Sequence, residues 1–237
     1  MLALPILVYL FSLNIVTASA YALFITGATS MAGFALKWSE NLTDPRAAVV
    51  FGIPSVLVSF ATRRWIVDAI PGRVYLGMGA YLDKEVLLLG LFSLLMMVSA
   101  VMMITRKNNP AGSRGPDKAY LLFPAGLGTG LIAGLAGVGG GFLILPSLMV
   151  FGRLSFPVAV GTTLIIIALN SLVGFCGDVI NNSIQWSFLF IVTGFCVVGL
   201  MIGYLVKEGI SRYVNPRSFG WIMAVLGAGM VIRQLFT

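Results

Sequence analysis

The sequence predicts an all-α polytopic membrane protein of about seven or eight transmembrane segments in two inverted repeats, with interrupted, re-entrant glycine-rich helices. Three observations lead there. Hydrophobic residues make up 59% of the 237-residue chain, charged residues only 10%, and the mean hydropathy is +1.00. Apolar stretches run about 15–34 residues, the length of helices crossing a hydrocarbon core of roughly 30 Å and not of barrel strands. Finally, Gly137-Val138-Gly139-Gly140-Gly141 lies inside apolar sequence. Irregular backbone at that depth survives only where protein or a hydrated cavity satisfies its N–H and C=O groups.

Taken in order, the segments fall near 1–12, 15–36, 47–61 and 85–104, then 119–152, 157–176, 186–206 and 219–235. The first lacks a basic n-region, and apolar sequence continues to Leu36, so it reads as part of the mature protein and not as a cleaved signal peptide. The stretch 105–118, rich in Asn, Pro, Gly and charge, is a cytoplasmic linker between a first repeat, 1–104, and a second, 119–237. Sliding 1–37 onto 142–178 at a constant offset of 141 yields 11 identities. About three would arise by chance from so biased a composition. Leu4-Pro5 pairs with Leu145-Pro146, Ser30 with Ser171, and Gly33-Phe34 with Gly174-Phe175.

A single helix over 119–152 would be about 50 Å long, too long for one crossing. A hairpin at the glycine run instead gives each repeat an odd number of crossings and inverts the halves. It also puts ten Lys/Arg (37, 46, 106, 107, 114, 118, 153, 207, 212 and 217) on one side against five (63, 64, 73, 84 and 233) on the other. The positive-inside rule then makes the side of 105–118 cytoplasmic.

Loop cations of this kind set topology or meet anionic lipid, which argues against a nucleic-acid partner despite the net charge of +7. With no histidine and no CxxC spacing, neither a zinc site nor a histidine-based triad has its ligands, and no cofactor is expected. Cys176 and Cys196 read as buried small hydrophobes. Asp178, Asn181, Asn182 and Gln185 read as a solvated turn, and no membrane-embedded acid offers a proton relay.

The principal constellation is Gly139, Gly140 and Gly141 with Thr162, Thr163, Asn170 and Ser171. Amides at a broken helix form a concave donor site, to which hydroxyl and amide side chains add neutral hydrogen bonds. An oxyanion could bind there without a buried cation. Close helix packing through small residues, with Ser and Thr bonding their own backbone, is the competing reading. In the first half Asn14, Tyr21, Thr26, Thr29 and Ser30 occupy the matching polar positions.

The run from Ala133 through Gly139-Gly140-Gly141 to Pro146, followed by Ala159-Val160-Gly161-Thr162-Thr163-Leu164 and Asn170-Ser171, resembles the sulfite exporter TauE/SafE family of permeases. The resemblance implies a helical transporter of two similar halves that moves sulfite or related sulfur oxyanions or organosulfonates out across the cell membrane. It carries over as substrate-binding residues Gly139, Gly140, Gly141, Pro146, Thr162, Thr163 and Ser171, with Pro5 and Ser30 as first-half counterparts. Met1 aligns with Phe142, just beyond the glycine run, so the chain reads as an N-terminally shortened member; Ala18-Ser19-Ala20-Tyr21-Ala22-Leu23 replaces the family's A-x-G-T-[ST]-L turn. The expected partners are a small anionic substrate, the lipid bilayer and, as an open option, a second copy of the chain. The alternative function is a non-transporting assembly or scaffold protein on the same frame. An intramembrane enzyme is disfavoured, because no nucleophile and base pair is visible.

Overall fold

The computed structural model describes residues 3–37, 40, 42–67, 73–75, 81–105, 119–136, 140–179, 184–206 and 216–235. Its helices are α1 (Ala3–Tyr9), α2 (Ile15–Lys37), α3 (Pro45–Ala61), α4 (Lys84–Thr105), α5 (Ala119–Ala136), α6 (Gly141–Val150), α7 (Phe156–Val179), α8 (Trp186–Leu205) and α9 (Pro216–Leu235). Among the described residues, five helices are long and apolar enough to cross a membrane: Val16–Lys37, Pro45–Ile66, Val86–Thr105, Phe156–Val179 and Trp186–Leu205. A π-helical stretch, Thr62–Val67, prolongs α3. A short antiparallel pair that sequence reading did not anticipate, β1 (Arg73–Tyr75) with β2 (Tyr81–Asp83), precedes α4.

Irregular backbone recurs at the 141-residue interval. Helices α2 and α7 begin at Ile15 and Phe156, and α3 and α8 at Pro45 and Trp186. The two non-glycine residues of positive φ among the described ones are Ser12 and Arg153, both at 51°. Leu13 N–H reaches Leu7 O at 3.2 Å, and Leu154 N–H reaches Leu148 O at 3.4 Å. Ala18 N–H to Asn14 O and Ala159 N–H to Ser155 O are both 2.8 Å. Similar apolar composition does not by itself reproduce left-handed turns and terminal hydrogen bonds.

Packing is set by glycine. A Cβ at Gly33 would stand 3.6 Å from Leu164, and one at Gly174 would stand 3.4 Å from Leu23, so α2 and α7 lie antiparallel with reciprocal leucine-to-glycine contacts. Gly126, Gly130 and Gly134 of α5 rest on the carbonyls of Phe51, Ser55 and Ser59 of α3, which makes those helices parallel. Any side chain at Gly130 would enter the backbone of Ser55. Between helices in lipid, such close approach replaces the hydrophobic drive that water would supply. Gly220 against Ala100 and Gly227 against Met96 set α9 antiparallel to α4.

The 119–152 segment folds back. Gly140 has φ +72° and caps α6, and a Cβ there would lie 2.6 Å from that of Ala133. At the far end of the arms, Gly152 lies against Leu122. A continuous helix would hold residues seven apart roughly 10 Å from one another. Gly134, near the end of α5, touches Ser59 and Thr62, in the last third of the span Pro45–Ile66 and not at its middle.

Candidate functional site

Gly161 and Thr162 form a joint. Gly161 lies against the Leu42 carbonyl, where a Cβ would not fit. The Thr162 hydroxyl donates to Val158 O at 2.8 Å and accepts the Asp44 N–H at 2.9 Å. Asp44 in turn caps α3, accepting the Ala47 N–H at 3.0 Å. At the 141-residue interval the Tyr21 hydroxyl accepts the Gln185 N–H at 2.8 Å, at the start of α8. Thr162 and Tyr21 thus each anchor the residue that caps the start of a helix, Asp44 before α3 and Gln185 before α8.

Farther along α7 the polar groups behave differently. Thr163, Asn170 and Ser171 are buried, and Thr163 Oγ1, Asn170 Oδ1 and Ser171 Oγ have no hydrogen-bond partner among the described residues. Asn170 Nδ2 donates to Ser55 Oγ at 2.7 Å. At about 100° per residue, Thr163, Asn170, Ser171 and Asp178 share one face of α7. An unpaired buried hydroxyl or amide oxygen costs about 1–3 kcal/mol, so such groups in a row call for an explanation such as a ligand or ordered water.

The remaining expected residues are distributed around this stripe. Gly140, Gly141 and Pro146 are buried at the start and middle of α6, which packs on α7. Gly139, with Gly137 and Val138, lies outside the described residues, as do 106–118, Asn181 and Asn182. Ser30 is buried in α2, and Pro5 lies in α1. Thr29 satisfies its hydroxyl on Ile25 O at 2.7 Å, which makes it a backbone-bonded threonine.

Two expectations are corrected. Asp178 is not in a solvated turn: it is 7% exposed, inside α7, with Oδ2 3.3 Å from Nη1 of Arg63, itself 3% exposed. Arg63 Nη1 also donates to Ser19 Oγ at 3.1 Å, joining α2, the π-helical stretch and α7. A buried acid at the end of a membrane span is therefore present after all. The sequence signal was the seven-residue step from Thr163 to Asn170 and from Ser171 to Asp178; its partner Arg63 was invisible without the fold. Cys176 and Cys196 are exposed, because they fall on the outward faces of α7 and α8.

At this same end, a pocket of about 470 Å³ is lined by Phe11, Leu13, Thr17, Tyr21, Ile184, Gln185 and Phe188.

Long apolar helices, a helix hairpin closed at glycine and a buried polar stripe define a multi-pass helical membrane protein. The description "Sulfite exporter TauE/SafE" fits residues 1–233, and the chain belongs to that family of membrane transporters. It is 26% identical to a "Probable membrane transporter protein" of Xylella fastidiosa (strain 9a5c) over 92% of this chain and 77% of that one. It is 25% identical to a protein of the same description from Xylella fastidiosa (strain Temecula1 / ATCC 700964), over 98% and 87%. The "Probable membrane transporter protein YunE" of Bacillus subtilis (strain 168) is 27% identical over 46% of this chain and 40% of its own. No solved structure was found to match the chain.

Proposed function

We propose that the protein exports sulfite, or a related small sulfur oxyanion or organosulfonate, across the cell membrane by alternating access. The observation that carries this reading is the set of buried polar atoms on α7, Thr163 Oγ1, Asn170 Oδ1 and Ser171 Oγ, that have no hydrogen-bond partner among the described residues, beside a helix pair broken at glycine. Neutral donors solvate an anion in a dry site without the cost of an unpaired buried cation. The two halves, inverted in the membrane, rock about the antiparallel contact of α2 with α7, so the stripe faces each side in turn. Such transport needs no covalent step, and the protein is not an enzyme. Lipid is the partner of the exposed apolar residues of α8, including Phe190, Phe195 and Ile202.

Sulfite can carry its own proton as bisulfite. Liposomes holding the purified protein and loaded with sulfite are expected to release it saturably, with competition from thiosulfate or taurine, and faster under a pH gradient. Release no faster than from protein-free liposomes would remove the transport reading; release indifferent to the gradient would remove only the bisulfite step.

A further inference from the structure

Among the residues whose burial is described, Arg63 and Asp178 are the only charged side chains that are buried. A buried ion pair rarely improves on apolar packing of the same volume, so its presence asks for a function more than for a stability role. Its surroundings are polar along one line. Thr163 lies next to the Thr162 joint at one end of the bundle, Asn170 meets Ser55 partway along α3, and Asp178 meets Arg63 just beyond the end of α3. The distance from Thr163 to Asp178 along α7 is about 22 Å, most of a hydrocarbon core. Thr62, beside Arg63, contributes another buried hydroxyl without a hydrogen-bond partner among the described residues. Arg63 also belongs to a π-helical stretch, a local distortion frequent at functional positions.

Resting on the transport reading above, we propose that Arg63 is the anion-coordinating residue at the far end of the pathway, and that Asp178 is a resident carboxylate that yields the guanidinium to the transported oxyanion. The exchange is chemically like for like, because a carboxylate and a sulfur oxyanion present the same acceptor oxygens to the planar guanidinium. Arg63 Nη1 and Asp178 Oδ2 stand 3.3 Å apart, longer than the 2.7–2.9 Å usual for a charge-assisted bond. The station serves one end only: at the 141-residue interval Arg63 corresponds to Tyr204 and Asp178 to Lys37, and Tyr204 instead donates to Glu40 at 3.4 Å.

The test uses the full chain in liposomes, with sulfite as the probe and thermal unfolding followed in parallel. The double variant Arg63→Gln with Asp178→Asn removes both charges without stranding either. It is expected to melt near the wild type yet to raise KM for sulfite about tenfold, equivalent to roughly 1.4 kcal/mol. A wild-type KM in that variant overturns the proposal. The reversed pair, Arg63→Asp with Asp178→Arg, is expected to stay folded with low flux; full flux would reduce the pair to a clamp and overturn the proposal as well. Should the double variant not yield monodisperse protein, Arg63→Lys keeps the charge and loses the planar fork. A raised KM there supports the proposal, and an unchanged one overturns it. Wild-type protein that moves no sulfite, thiosulfate or taurine removes the transport reading itself, a result distinct from an unchanged KM.

Discussion

Helices α2 and α7 start 141 residues apart, pack against each other antiparallel, and differ in what they bury. On α7 one face carries Thr163, Asn170, Ser171 and Asp178, with Ile167 and Gly174 between them; the same four positions on α2 are Ala22, Thr29, Ser30 and Lys37. Ala22 offers nothing, and Thr29 spends its hydroxyl on its own helix. Helix starts and turns recur at the 141-residue interval, while the buried polar chemistry is concentrated on α7. A second pair sharpens the point. Helix α3 is covered by the glycine face of α5, whereas α8 leaves Phe195 and Leu205 exposed, and a side chain at Gly194, Gly199 or Gly203 would touch nothing. Equivalent backbones thus occupy unequal environments.

The largest effect belongs to that second pair. Gly130→Leu would drive a side chain into the Ser55 backbone and is expected to abolish monodisperse protein in detergent chromatography. Survival of this variant with a normal elution profile would mean that α3 and α5 are not as close as described. Next come the joints: Thr162→Val and Tyr21→Phe each strand one N–H and should cost a similar amount, about 1–3 kcal/mol, read as a lower melting temperature. Unequal losses would break the equivalence of the two halves at their helix starts.

Smaller in stability, though larger in function, is Ser171→Ala. Its Oγ has no partner among the described residues, so stability should change by no more than about 0.5 kcal/mol while sulfite flux drops about tenfold. Ser30→Ala, the control on α2, should leave flux within about twofold. Equal flux losses would erase the asymmetry between α2 and α7. The smallest effect is expected for Gly203→Leu, a change within about 0.5 kcal/mol in melting, since its surroundings are open.

Much of this was legible in the chain. The expected segment 15–36 is α2, 186–206 is α8, and the single long run 119–152 divides into α5 and α6 at the glycines. Apolar length and glycine placement are local properties, which is why they survive translation into structure. What misled was exposure. Asp178 read as solvated because it lies close to Asn181 and Asn182, yet a helix continued past it and brought it to Arg63. Both cysteines read as buried because their neighbours in sequence are apolar, and in a membrane protein apolar neighbours also line the outside.

By itself the sequence determined the membrane class, the helix boundaries, the hairpin and the polar residues of α7, because each follows from hydropathy, backbone freedom or spacing along one segment. Only the tertiary structure decided which hydroxyls hold a helix start and which have no partner among the described residues. It alone paired Arg63 with Asp178 and turned the cysteines outward. Those outcomes depend on which helix faces meet, and faces meet through contacts between residues far apart in the chain.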